Sequence, residues 1–199
     1  MKGNLIAEPL TLSHRKDTDL MHAFSTNMET PHQLTLHKLS ATDHTLLHQA
    51  ALWSEEQWGY VLKFAGLENR KKLIRDLTIP PNAFYVFTYD QEPVALFSLR
   101  SYEGREICPE LRHLNNILEL DYVYTDKNFR GLGIGSKILE SAKSEARRAG
   151  AQFLAFDTLE PALNPFYLMH GAVMVCKSHY HALPTDKLMF TLEDNKIIA

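Results

Sequence analysis

The stretch Arg130–Lys137, RGLGIGSK, places glycine at 131, 133 and 135 and then runs directly into a helical pattern. Glycine costs stability inside regular structure, so three at alternate positions signal either a tight turn or a backbone that something must approach closely. Upstream lies ILELDYVYT, residues 117–125, with the apolar and aromatic content of a strand. Downstream, GIGSKILESAKSEARRAG carries an apolar stripe at Ile134, Ile138, Leu139, Ala142 and Ala146, charges on the other face and Gly150 as its stop. QFLAFDT, 152–158, is short and almost wholly apolar, the pattern of a strand covered on both faces. Strand, crossover helix and strand predict a right-handed βαβ unit with the glycine loop at its first turn. A small-residue loop opening a helix offers unpaired backbone N–H groups at the positive end of a dipole, which suits a phosphate.

Around this unit the chain reads as one domain. Residues 1–31 are polar and weakly patterned up to Pro31 and are expected to be an N-terminal extension, with the domain proper spanning 32–199. QLTLHKL, 33–39, alternates as a first strand, and Ser40 to Asp43 signal a helix start. A helix is expected over 44–64, with room for a break, and a second over 68–77, stopped by Pro80-Pro81. AFYVFTYD and EPVALFSLR, 83–90 and 92–100, predict a hairpin, followed by an irregular loop over 101–116. NPFYLMHG reads as a short helix, and AVMVCKS and KLMFTL as closing strands. The predicted fold class is α/β (α+β), a single domain on a mixed sheet with helices on both faces.

Composition narrows the function. The 199 residues are 45% hydrophobic and 23% charged, enough for one well-developed core, and the formal net charge of −3 argues against a nucleic-acid backbone or an anionic membrane as principal partner. No run approaches the roughly 20 apolar residues of a membrane span, and the start lacks an apolar signal core, so a soluble, cytoplasmic protein is expected. Cys108 and Cys176 fit a reduced compartment better than a disulfide framework, with a single bridge between them left open.

Three phosphate-binding patterns compete at the glycines. Against the G-x-x-x-x-G-K-[ST] pattern counted from Gly131, Ser136 replaces the second glycine and Ile138 the magnesium-holding hydroxyl. Against G-x-G-x-x-G, Ser136 replaces the third glycine, and too much chain precedes the strand. The third, Arg/Gln-x-x-Gly-x-Gly/Ala, is met by Arg130, Gly133 and Gly135. With ELDYVYTDKNFRGLGIG before it and EPALNPFYLMHGAVMV at the expected separation after it, the chain resembles the GNAT superfamily of acyl-CoA-dependent N-acetyltransferases over roughly residues 33–192. Two departures stand out. Ala162 occupies the position where many members carry an Asn five residues before the Tyr, with Asn164 out of register, and Lys127 stands where Pro is common.

The resemblance implies acetyl transfer from acetyl-CoA directly to a small-molecule or peptide amine, without a metal, and it admits a homodimer. It implies that Arg130, Gly131, Leu132, Gly133, Ile134, Gly135 and Ser136 hold the pyrophosphate by backbone N–H groups, and that Val123, Tyr124 and Thr125 pair with the pantetheine arm. A backbone N–H near Tyr124 would hold the oxyanion, and Tyr167 would protonate the departing thiolate. From the residues themselves, Glu119 and Asp121 are two apart on a strand and share a face if no bulge separates them. The resemblance makes them the base or water-relay groups; solvent-facing strand charges are the alternative. A regulatory protein that binds acyl-CoA without catalysis on the same fold is the rival function.

The histidines add little. His44 and His48 are spaced i, i+4, but TLL between them lacks the Glu of a zinc-binding H-E-x-x-H. His179 and His181 flank Tyr180 and are expected on a surface turn rather than in an acceptor pocket, and Arg147 and Arg148 on a solvated helix face.

Overall fold

The structure is a computed structural model that describes residues 33–61, 66–103, 108–180 and 183–192. The predicted extension, His181 and the end of the expected first helix past 61 lie outside the described residues. The strands are β1 (Leu34–Lys38), β2 (Ala83–Tyr89), β3 (Glu92–Ser101), β4 (Ile117–Thr125), β5 (Phe153–Thr158), β6 (Val173–Tyr180) and β7 (Leu183–Thr191). The helices are α1 (His44–Trp58), α2 (Leu67–Asp76), α3 (Ile134–Arg148) and α4 (Asn164–Met169). The last strand starts four residues before the apolar run that signalled it. Its first half, LPTD, is polar and is held by pairing with β6 and β5.

All seven strands form one sheet in the order β1-β2-β3-β4-β5-β7-β6. Only β4 and β5 are parallel, because α3 crosses between them; the other pairs are antiparallel. Period-2 alternation sends β2 side chains to opposite faces. Ala83, Tyr85 and Phe87 join the α3 and α4 side, where Ile134, Ile138, Leu139, Ala142 and Ala146 are buried as the stripe predicts. Phe84 and Val86 meet Leu47, Ala50, Trp53 and Ile74 of α1 and α2 on the other side. Helices therefore cover both faces. Among the described residues no helix is long and apolar enough to cross a membrane.

A third apolar cluster pins the loop before β4. Tyr102, Cys108 and Leu111 pack on Ile117 and Ala155, and Cys108 and Cys176 are joined as a disulfide. The expectation of two separate reduced thiols is corrected here. The cysteines are 68 residues apart in sequence, but Val175 and Cys176 of β6 pack against the cluster that holds Cys108.

Candidate active site

The parallel pair β4-β5 is paired only from Ile117↔Phe153 to Glu119↔Ala155, after which β5 continues beside β7 alone. Beyond Glu119 the β5-facing backbone of β4 has no strand partner. A splayed strand of this kind presents N–H and C=O groups to an extended ligand that pairs as a strand would.

β4 also bulges. Its register to β3 runs Glu119↔Arg100, Leu120↔Leu99, Asp121↔Ser98, and then Tyr124↔Leu96, so three steps on β4 match two on β3. Tyr122 absorbs the extra residue at φ 54°, an uncommon conformation for a non-glycine. The backbone N–H of Tyr122 donates to Asp121 Oδ1 at 2.8 Å. A regular strand would put Tyr122 with Leu120 on the α3 side; the bulge turns it to the α1 side with Tyr124, where Trp58 meets it edge-on at 5.5 Å. No bulge lies between Glu119 and Asp121, so the two carboxylates share a face as expected.

At the splay lies a cavity of about 450 Å³. Glu119, Asp121, Val123 and Tyr167 all line it, which brings together the predicted catalytic groups and one predicted CoA-contacting residue. The strand-charge alternative fails for Glu119, which is only 8% exposed, whereas the Asp121 side chain remains 32% exposed. Across four neighbouring strands runs a row of charges that sequence reading missed. Arg100 on β3 faces Glu119 on β4, and Asp157 on β5 faces Lys187 on β7. Arg100 Nη2 lies 2.9 Å from Glu119 Oε2, and its Nε 3.4 Å from Asp121 Oδ2. The Lys187 ammonium, 3% exposed, donates to Glu119 Oε1 at 3.3 Å and pairs with Asp157. Thr185 Oγ1 donates to the other Asp157 oxygen at 2.8 Å.

Burial pushes the Glu119 carboxyl up; Arg100 and Lys187 pull it down, Asp121 and Asp157 push it up, and it stays above the usual carboxylate value. For Lys187, burial opposes the charge, but Glu119 and Asp157 outweigh it and hold the ammonium above the ordinary lysine value. Tyr167 is buried against Phe156, ring centroids 4.7 Å apart, and burial pushes its phenol up to about 12. It remains a proton donor throughout the neutral range.

The glycine loop joins β4 to α3. Gly131 and Gly133 adopt φ of 80° and 78°, the left-handed conformation in which a side chain is strained. Gly135 serves close approach instead, since a Cβ there would sit 3.2 Å from the Phe166 ring of α4. The first-turn N–H groups of α3 have no intrahelical partners and open at the exposed loop. Arg130 folds back, its Nε donating to the Thr125 carbonyl at 3.0 Å and its guanidinium lying 5.8 Å from the Tyr124 ring centroid. Ser136 Oγ and His170 Nε2 share a hydrogen bond at 2.9 Å, and Nδ1 of that ring donates to the Phe166 carbonyl at 2.8 Å. The Ser136 hydroxyl thus ties the loop to α4, leaving its backbone N–H for a ligand. Asn164 is a buried brace, accepting from Thr158 Oγ1 at 2.7 Å and donating to Asp186 at 2.6 Å. It fixes the start of α4, and with it Tyr167, to the end of β5 and the middle of β7. Of the 179–181 triplet, Tyr180 lines the cavity while His179 is exposed.

The chain is matched over residues 46–171 by the profile of the acetyltransferase (GNAT) family. No curated protein sequence is matched by it. Solved structures with a similar fold include an aminoglycoside 6'-N-acetyltransferase complexed with coenzyme A, at TM-score 0.63 and 12% identity over 80% of this chain and 97% of that one. An acetyltransferase from Thermus thermophilus has TM-score 0.61 and 18% identity over 81% and 99%. An IAA acetyltransferase from Bacillus cereus has TM-score 0.54 and 14% identity over 80% and 100%.

Proposed function

The chain belongs to the acetyltransferase (GNAT) family and is an acyltransferase, and on that premise we propose that it moves an acetyl group from acetyl-CoA directly to the nitrogen of an amine. The observation that carries this reading is the splay of β4 from β5 beyond Glu119, with the glycine loop at one end and Tyr167 and the carboxylates beside it. We assign the catalytic domain to 32–199.

The chain's groups fit an acyl-CoA substrate. The N–H groups of residues 131–136 face the pyrophosphate, and the edge of Val123, Tyr124 and Thr125 that lacks a β5 partner receives the pantetheine arm. When bound, acyl-CoA supplies the thioester carbon. Asp121 or Glu119 takes the proton from the incoming ammonium so that a neutral amine attacks. A backbone N–H near Tyr124 steadies the oxyanion. The Tyr167 phenol gives its proton to the thiolate as the C–S bond breaks, and the proton that the newly acylated nitrogen sheds returns through solvent to the phenol. Direct attack is favoured over an acyl-enzyme because Cys108 and Cys176 are joined to each other and neither lines the cavity.

Loss of the acetyl-CoA thioester on addition of amines tests this reading. Turnover that collapses in Tyr167→Phe and in an Asp121→Asn, Glu119→Gln double variant supports it. CoA binding without turnover for any amine class would point instead to an acyl-CoA sensor on the same fold.

A further inference from the structure

The cavity's charges are unbalanced in a way that direct acetyl transfer alone does not require. Its cluster contains two cations, Arg100 and Lys187, against three carboxylates, Glu119, Asp121 and Asp157. Both oxygens of Glu119 face a cation, and those of Asp157 are taken by Lys187 and Thr185. Asp121 is different. One oxygen accepts the Tyr122 N–H, and the other reaches the Arg100 guanidinium only at 3.4 Å, while a third of the side chain stays open to the cavity. At the rim stands a fourth carboxylate, Glu160, exposed and without an ion pair among the described residues. Aromatic rings line the same cavity. Trp58 and Tyr122 meet edge-on, and Tyr60 and Tyr180 line the cavity beside them. Aromatic faces and a surplus of carboxylates attract cations and disfavour anions. Each cation already faces two acidic groups, Arg100 with Glu119 and Asp121 and Lys187 with Glu119 and Asp157, although Arg100 Nε makes no hydrogen bond.

We propose that the acceptor is a small amine that carries a second ammonium group, of the diamine or polyamine class, with the reacting nitrogen at the strand splay and the second ammonium held by Asp121, Glu160 and the aromatic wall. This rests on the transferase reading only for the fate of the first nitrogen; the selection for charge stands on the cavity itself. With Asp121 and Glu160 holding the charge that stays behind, Glu119 serves the proton transfer.

Three four-carbon amines of matched length separate the possibilities: 1,4-diaminobutane, butylamine and 4-aminobutyrate. Their binding to the full chain in the presence of CoA is measured by calorimetry, and thioester loss with acetyl-CoA is followed in parallel. The diamine is expected to bind at least about tenfold tighter than butylamine, the size of one added ammonium between aromatic and carboxylate groups, with 4-aminobutyrate weakest. Added salt should shrink the advantage, and Glu160→Gln or Asp121→Asn should reduce the diamine-to-butylamine ratio by about threefold or more. Equal or tighter binding of butylamine or 4-aminobutyrate, binding of none of the three, or a ratio unmoved in both variants would overturn the inference. Preferential diamine binding without thioester loss would leave it standing and overturn the transferase reading instead.

Discussion

Tyr167 and Glu119 are set up in opposite senses by the same burial. Burial keeps the phenol protonated and makes the carboxyl a stronger base. Tyr167→Phe should therefore lower kcat by about 100-fold, within the range for a lost general acid, while CoA still binds. In the proposed role of base Glu119 must be ionised, so the acid limb of kcat/KM should lie above the ordinary glutamate value of 4.5. Lys187 favours that ionised form. Lys187→Met should raise the Glu119 pKa further and move the acid limb to higher pH, and it should destabilise the fold by about 3 kcal/mol in denaturant melts, because it leaves Glu119 and Asp157 short of a buried partner. Strand periodicity alone was enough to place Glu119 and Asp121 on one face. Arg100 and Lys187 were not legible, because they lie far apart in the chain on β3 and β7, and only the sheet order shows that they bracket the same carboxylate.

At the scale of elements, the β4–loop–α3 unit was readable from Gly131, Gly133 and the apolar stripe, each of which answers a local requirement. Gly133 is the N-cap of α3 in the left-handed region. Gly133→Ala should cost about 1–2 kcal/mol in denaturant unfolding and weaken CoA binding, because the cap and the N–H groups behind it move together. The bulge at Tyr122 left no trace in the sequence. Its positive φ falls on a tyrosine rather than a glycine, and the conformation is held by tertiary contacts: the β3 register, the Asp121 carboxylate and the rings of Trp58 and Phe84. Likewise α4 was legible as a helix, but its brace through Asn164 depends on Asp186 of β7, 22 residues away.

For the whole molecule, the fold class followed from the alternation of elements and helices lie on both faces as expected, whereas the order of strands in the sheet, with β7 between β5 and β6, did not. The bridge between Cys108 and Cys176 depended on where β6 returns, which spacing does not encode. The central claim is that the splayed strand and glycine loop form an acyl-CoA site. It is tested most directly by thermal unfolding of the full chain with CoA, acetyl-CoA and ATP side by side. Each CoA species at about 100 times its dissociation constant should add roughly 2.7 kcal/mol and raise Tm by about 5–10 °C, with ATP giving no comparable shift. Stabilisation by ATP alone, or by none of the three in a folded sample, would contradict it.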